Sequence, residues 1–162
     1  MIETAAELVK AELVDETGRL DDDYFEPGFP LSKTIDGKPI TFTQKDVREI
    51  QLAKSAVRAG LETLLLRRGV QYQDLDAVIL AGGFGYRTDK EKAAEIGMLP
   101  EELLPVTRAV GNSSLAGVIH MLTVPEAAEK AKQIAQNAVE IGLAADPDFA
   151  RLYMDHMYFE VE

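Results

Sequence analysis

Cysteine and tryptophan are absent from the 162 residues of this sequence, and histidine occurs twice. Without cysteine, the chain forms no disulfide and supplies neither a thiolate nucleophile nor thiolate ligands for a metal cluster. Its serines lack the Gly-x-Ser-x-Gly context of a nucleophile elbow. His120 and His156 lie far apart in predicted helical segments, where packed or surface histidines are the favoured interpretation. The sequence therefore offers no nucleophilic triad.

Basic residues and long apolar runs are also scarce. Lysine and arginine number 17 against 28 acidic residues, for a formal net charge of -11. This balance disfavours nucleic acid or an anionic membrane as a partner, whereas a nucleotide is compatible because backbone amides and a metal usually hold its phosphates. No apolar run approaches the roughly 20 residues that span a bilayer, and no signal peptide is recognisable. We expect a cytoplasmic protein.

Residues 77–85 read AVILAGGFG, an apolar run followed at once by Gly82, Gly83 and Gly85. The run predicts a buried strand that ends in a turn whose backbone approaches a ligand or another segment. Ligands of open α/β sheets bind at this end of the strands. The pattern is neither a P-loop nor a full Gly-x-Gly-x-x-Gly, since Arg87 and Thr88 stand where a third glycine could be. A tight turn that simply needs glycine is the alternative.

A long helix is predicted immediately before this region. Thr43 and Asp46 form a variant capping box, apolar residues recur at steps of three and four, and Gly69 is the expected end. The predicted helix covers residues 44–68 and is about 37 Å long. Lys54 and Arg58 lie one turn apart on or near its polar side. Surface cations are the favoured interpretation, and Lys54 is the candidate for contact with a ligand.

Two strand–turn–helix units in succession favour a parallel α/β arrangement. The second unit is a strand at 105–110, a turn at 111–114 and a helix at 115–122. The other predicted elements are a helix at 2–13, a loop at 24–39, a short strand at 40–42, a helix capped at Thr88 that ends at Gly97, an alanine-rich helix capped by Thr123 and Glu126, a half-exposed strand at 139–143, and a last helix capped by Asp146.

Two of these stretches resemble nucleotide motifs. Residues 78–83 (VILAGG) resemble the adenosine motif of the actin–hexokinase–heat-shock-chaperone ATPase superfamily, and residues 110–117 (VGNSSLAG) resemble its later connecting motif. More closely, the whole chain resembles the C-terminal region of the reductive activators of corrinoid proteins. The matching stretches lie at 13–20, 43–54, 80–85, 96–100 and 110–112.

The resemblance implies an α/β fold: a ribonuclease H-like, actin-like C-terminal ATPase subdomain with a short, mostly parallel sheet, flanking helices and one long central helix. It implies a single lobe over residues 1–162. Within it we distinguish a loop-rich segment at 18–39, a nucleotide-side core at 40–123, and C-terminal helices and a strand at 124–162.

The resemblance also implies the site residues. In that superfamily a glycine turn contacts the adenosine, a further residue lies over the adenine, and a connecting turn lies beside the base. Lys54 is a weaker candidate for contact with the nucleotide, since only its position on the long helix supports it. The residues at these positions are Gly82, Gly83, Phe84 and Gly85 for the adenosine turn, Arg87 over the adenine, Asn112 and Ser114 for the connecting turn, and Lys54 on the long helix.

Cofactors and partners follow from the same resemblance. ATP or ADP with Mg would be shared with an N-terminal lobe, a [2Fe-2S] cluster would belong to the N-terminal region, and a corrinoid protein would be the partner. The two phosphate motifs of the superfamily are absent, so we expect this lobe not to be catalytic alone. The alternative is an actin-like module used for dimerisation or partner binding without nucleotide. An activator of 2-hydroxyacyl-CoA dehydratase would need cluster cysteines that this chain lacks.

Overall fold

The computed structural model describes residues 1–159, apart from the side chain of Phe84. Helices and strands alternate along the chain, with short 3-10 turns between some of them. The helices are α1 (Ile2–Lys10), α2 (Asp22–Phe25), α3 (Gln44–Arg68), α4 (Gly82–Arg87), α5 (Lys90–Glu95), α6 (Ser113–Thr123), α7 (Ala127–Asn137) and α8 (Pro147–Asp155), and the strands are β1 (Phe29–Lys33), β2 (Pro39–Phe42), β3 (Val78–Ala81) and β4 (Thr107–Gly111).

Helix α3 has the bounds that the sequence predicted. The N–H of Asp46 donates to Thr43 Oγ1 at 3.3 Å, and the N–H of Thr43 donates to Asp46 Oδ2 at 2.8 Å. This capping box satisfies donors that the first turn leaves free. The helix ends at Gly69, which adopts the left-handed conformation with φ 63°. Among the described helices, α3 is the longest, and α1 and α8 both pack against it.

The predicted parallel arrangement is confirmed for β3 and β4. The two strands pair in parallel, with Val78 beside Thr107 and Ala81 beside Gly111. A second sheet is an antiparallel hairpin of β1 and β2, in which Phe29 pairs with Phe42.

The prediction of a loop throughout 24–39 is wrong for residues 29–33, which form β1. Phe42 is buried in the core and Phe29 packs against it, which holds the base of the hairpin. The turn closes through the N–H of Thr34, which donates to the carbonyl of Lys38 at 2.8 Å. Prolines at 30 and 39 misled the prediction, because proline is compatible with a strand at the edge of a sheet.

Other expected elements differ at their ends. Residues 139–143 form no strand, and Val139 is exposed, since no neighbouring strand in the described chain pairs with this alternating segment. Helix α5 is capped by Asp89 rather than Thr88, through the N–H of Lys92 at 3.1 Å. The capping box expected at Thr123 does not form, and α7 begins after Glu126 without a side-chain cap. Its alanine face is largely exposed, with Ala127 the buried residue of the helix.

The hydrophobic core lies at the end of the molecule where α1, α5, β2 and the N-terminal half of α3 meet. Its members are Ile2, Ala5, Ala6, Leu8, Val9, Val14, Leu20, Phe42, Val47, Ile50, Ala93, Ile96, Met98, Leu99 and Phe159. None of the residues of α6 is buried. Within residues 1–159, no helix combines the length and apolarity needed to cross a membrane.

The favoured prediction that Lys54 is a surface cation is wrong. The residue is buried, with 1% of its surface exposed. Its Nζ donates to the carbonyl oxygens of His156 and Tyr158, each at 2.6 Å. One turn away, Gln51 Nε2 donates to the carbonyls of Thr17 at 3.1 Å and Met157 at 2.8 Å.

Ser55 Oγ adds a third side-chain donor, to the carbonyl of Tyr153. We call Gln51, Lys54 and Ser55 the α3 clamp, because together they hold the C-terminal segment on the long helix.

Arg58 is also not a surface cation, since its side chain is mostly buried beside Glu62. Arg58 Nε and the hydroxyl of Tyr72 each donate to Glu62 Oε1 at 2.6 Å, and His156 Nε2 lies 3.0 Å from Oε2. Burial by itself raises the pKa of Glu62, but hydrogen bonds from Tyr72, Arg58 and His156 outweigh it and hold that pKa below its usual range. The sequence indicated no partner for His156.

The first prediction concerns the α3 clamp. Gln51→Glu replaces a donor by an oxygen facing the carbonyls of Thr17 and Met157, so we expect it to lower the free energy of unfolding by about 2 kcal/mol or more. Urea denaturation measures the change. The matched control is Gln73→Glu at an exposed position, expected within about 0.5 kcal/mol of wild type. Equal stability of the two variants would contradict the clamp.

The second prediction concerns the stability that Glu62 contributes and how it depends on pH. A carboxyl whose pKa is lowered by folding stabilises the protein above its ordinary pKa, and that contribution is lost as the pH falls through the folded-state pKa. Glu62→Gln should therefore be less stable than wild type by about 2 kcal/mol at neutral pH, and this gap should narrow as the pH falls through the lowered pKa of Glu62. Urea denaturation at neutral pH and over an acidic series tests this, with Glu49→Gln on the exposed side of the same helix as control. A gap that is independent of pH would show that the ionised carboxylate is not the stabilising group.

Candidate functional site

Two turns lie side by side at one edge of the β3–β4 sheet. Because the strands run in parallel, their carboxyl ends are on the same side, and Ala81 at the end of β3 pairs with Gly111 at the end of β4. The prediction of a turn at 82–85 is wrong, because these residues form the start of helix α4 directly after β3; we keep the name first turn for them. Helix α6 starts after β4 with Asn112 as its N-cap. The two glycine-containing motifs, about 30 residues apart in sequence, therefore form one surface.

The three glycines of the first turn differ in what requires them. Gly82 has φ +86°, a conformation that strongly favours glycine. Gly85 is buried against β3, where a Cβ would lie 3.2 Å from the carbonyl carbon of Leu80. Gly83 has no atom within 4 Å of a built Cβ and faces open space. The tight-turn alternative thus accounts for Gly82 and Gly85, but it gives no reason for glycine at 83.

The remaining predicted residues of the first turn lie on α4. The backbone of Phe84 belongs to this helix, and its side chain lies outside the described residues. Arg87 is the last residue of α4 and is exposed, so its guanidinium is accessible from solvent.

The second turn holds the start of α6. Asn112 Oδ1 accepts from the N–H of Leu115 at 2.9 Å, which caps the helix. Gly111 adopts φ +69° just before this cap. Ser114 is exposed in the first helical turn, where free backbone N–H groups give the helix end a partial positive charge.

Tyr86 also lies at the two turns, although the sequence pattern suggested Arg87, one residue further along, as the side chain over a base. The residue is 67% exposed, and its Cδ2 lies 3.9 Å from a Cβ built on Gly111. The aromatic side chain of α4 thus lies between the two turns. An aromatic residue directly after the last glycine of the motif was the signal that could have found it.

Lys54 is the candidate that the structure places elsewhere. The contacts of its ammonium that were described above are with carbonyls of the C-terminal segment, and Phe159 lies below it with its ring centroid at 5.0 Å. Among the described residues, no group of three or more His, Cys, Asp or Glu side chains is arranged to hold a metal ion.

The architecture is that of an actin-like α/β lobe, with a long helix before a parallel strand pair and turns at one sheet edge. A family model described as the C-terminal domain of RACo, the ASKHA domain, matches residues 1–162. The chain belongs to this family, as its resemblance to the corrinoid activators predicted.

Individual relatives agree with this assignment. The corrinoid activation enzyme RamQ of Eubacterium limosum is 39% identical over 125 residues, which cover 76% of this chain and 21% of the relative. The reductase of a Co(II) methylated amine-specific corrinoid protein from Methanosarcina barkeri is 32% identical over 132 residues, covering 79% of this chain and 24% of the relative.

A solved structure shows the same fold. The reductive activator for a corrinoid, iron-sulfur protein superposes with a TM-score of 0.82 at 27% identity, covering 98% of this chain and 27% of that chain. This chain thus spans between a fifth and just over a quarter of the length of these proteins.

The third prediction compares how much the free energy of unfolding depends on each of the three glycines at 82, 83 and 85. Gly82→Ala places a Cβ at positive φ and Gly85→Ala forces one against Leu80, so each should lower the free energy of unfolding by about 1–2 kcal/mol. Gly83→Ala faces open space within a helix and should leave stability unchanged or slightly raised. Thermal denaturation of the three variants measures the order. A loss at Gly83 as large as that at Gly85 would mean that its glycine is required by packing.

Proposed function

We propose that this chain is the adenosine-binding C-terminal lobe of an ATP-dependent reductive activator of corrinoid proteins. The observation that carries the proposal is the pairing of Ala81 with Gly111, which brings the two turns together. The open space at Gly83 supports a ligand there, because packing within the chain gives no reason for that glycine. The names of the relatives support the corrinoid protein as the partner of the whole activator.

The residues at the two turns have chemically distinct tasks in this proposal. The backbone at Gly83 allows close approach of the ribose and α-phosphate, since no side chain intervenes. The N-terminus of α6 at Ser114 attracts negative charge, and Asn112 keeps that helix end in place through its cap. Tyr86 and Arg87 offer an aromatic and a cationic face for the base.

The rest of the nucleotide site belongs to the remainder of the activator. ATP or ADP with Mg would be bound between this lobe and an N-terminal lobe that supplies the phosphate motifs. ATP hydrolysis supplies the free energy for one-electron reduction of a cobalt(II) corrinoid on the partner protein. Because the chain has no cysteine, a [2Fe-2S] cluster that delivers the electron finds no ligands here and would lie in the N-terminal region.

Location and assembly are part of the same proposal. An ATP-dependent activator would work in the cytoplasm, where its nucleotide is available. Homodimerisation stays a prediction that sedimentation of the whole activator can test. In this scheme the lobe binds and orients the nucleotide, and by itself it does not hydrolyse ATP.

The fourth prediction tests nucleotide binding. In the full-length activator, Gly83→Asp places a carboxylate where the phosphates approach, so we expect ATP affinity to fall by at least about 10-fold, because the carboxylate repels the phosphates and fills their space. Calorimetric titration with Mg-ATP gives the Kd. Gly83→Ala adds a Cβ without the charge, so it should lower the affinity by less than Gly83→Asp and separates the effect of bulk from that of charge.

The melting temperature and the binding of the corrinoid protein show whether a loss of ATP affinity in Gly83→Asp is specific to the nucleotide site. The Gly83→Asp protein should keep its melting temperature without nucleotide and its binding to the corrinoid protein, since position 83 faces open space. Unchanged ATP affinity in Gly83→Asp would refute the assignment of the turn. Loss of both folding and affinity in Gly83→Ala would also count against it.

A further inference from the structure

The hairpin of β1 and β2 is attached to the core at its base and exposed at its far end. Phe42 at the base is buried in the core, and Phe29 packs against it. Every residue from 30 to 40 is exposed. Ile35, at the tip, has a relative exposure of 111%, the highest among the exposed large hydrophobic residues that the structure describes. The most exposed apolar side chain thus lies at the end of an arm.

A network of hydrogen bonds closes the turn around Ile35. The N–H of Gly37 donates to the carbonyl of Thr34 at 2.9 Å, and the N–H of Thr34 donates to the carbonyl of Lys38 at 2.8 Å. The Thr34 hydroxyl accepts from the N–H of Lys38 at 3.0 Å and donates to Asp36 Oδ1 at 2.6 Å. These bonds hold the backbone on both sides of Ile35, so its side chain extends from a fixed turn.

Turn chemistry explains the neighbours of Ile35 but gives no reason for isoleucine. Asp36 bonds locally through its carboxylate, and Gly37 adopts φ +82°, so both are typical turn residues. A β-branched side chain favours strands instead, and Ile35 buries no surface within the described chain. A large apolar side chain on a fixed turn suits an anchor that enters a pocket of a partner protein, because little conformational freedom is lost on binding.

The strands on either side of the tip carry residues that protect exposed edges. Pro30 and Pro39 lie on the two strands, and Lys33 and Lys38 place charges beside the tip. Prolines and lysines are typical of strand edges that natural proteins leave in solvent and guard against pairing. A permanent cover from another part of the activator would make this protection unnecessary. One apolar side chain surrounded by polar ones is also typical of a transient interface.

We propose that the tip of the hairpin, residues 34–38, is a docking element whose Ile35 enters an apolar pocket on the corrinoid protein. The identity of this partner rests on the proposed function, in which an activator binds the corrinoid protein, reduces it and releases it. A partner that binds and leaves fits an arm that is exposed between encounters. A second copy of the chain, held permanently, is a poorer occupant of a tip with guarded edges.

Binding of the full-length activator to the purified cobalt(II) corrinoid protein of the same organism tests the docking element. Ile35→Ser should raise the Kd about 10-fold or more, because it removes the apolar anchor. Leu31→Ser is the matched control, an apolar-to-polar change at a position on β1 that is 44% exposed and away from the tip. It should leave the Kd within about twofold of wild type. Calorimetric titration gives these values.

A second pair of variants tests the fixed turn. Thr34→Val keeps the size of the side chain but removes the hydroxyl that bonds Lys38 and Asp36. It should raise the Kd about 3-fold, because a looser turn loses more conformational freedom on binding. Thr34→Ser keeps the hydroxyl and should bind as wild type does. Equal affinities of the two Thr34 variants would overturn the role of the turn.

Ile35→Ser should also keep the melting temperature and the Mg-ATP affinity of wild type. A fall in its melting temperature by more than about 2 °C would overturn the inference, by showing that the tip is buried within the activator. A change in its sedimentation would do the same and identify a second copy as the occupant. If wild type bound the corrinoid protein and Ile35→Ser bound it equally well, this inference would fail and the proposed function would stand. If wild type did not bind it, both would fail.

Discussion

The hydrogen bonds of the α3 clamp are the interaction on which the rest of the structure depends. An ammonium and a carboxamide are costly to bury unless their donors are used, and here Lys54 and Gln51 donate to carbonyls of the C-terminal segment. The same helix packs its apolar side into the core through Val47 and Ile50. Near its end, Arg67 donates to both carboxylate oxygens of Asp146, the N-cap of α8.

This organisation leaves the candidate site at the border of two different regions. On one side lies the core around α1, α5 and α3, and on the other lie α6 and α7, which bury little of their apolar surface. Among the described residues, the turns at Gly83 and Ser114 are thus held by a sheet of two strands. In the function proposed above, a nucleotide bound at these turns would also contact the remainder of a longer activator.

Particular residues show how far sequence patterns could predict this arrangement. Thr43 and Asp46 predicted the start of α3 correctly, because a capping box is a local interaction of adjacent backbone and side chains. The same pattern at Thr123 and Glu126 failed, since α7 begins later and without a side-chain cap. Lys54 was expected on a polar surface, yet it is buried by a segment about 100 residues further along, which no helical periodicity can reveal.

The sequence by itself determined the long helix, the two strand–turn–helix units and the family, because capping, periodicity and motif order are local properties of the chain. Tertiary structure decided which residues these units bring together. Pairing of β3 with β4 placed Tyr86 beside Gly111, packing of Leu80 required glycine at 85, and open space remained at Gly83. The proximity of Tyr86 and Gly111 depends on a contact between segments that are far apart in the sequence, and local capping or periodicity does not reveal such a contact.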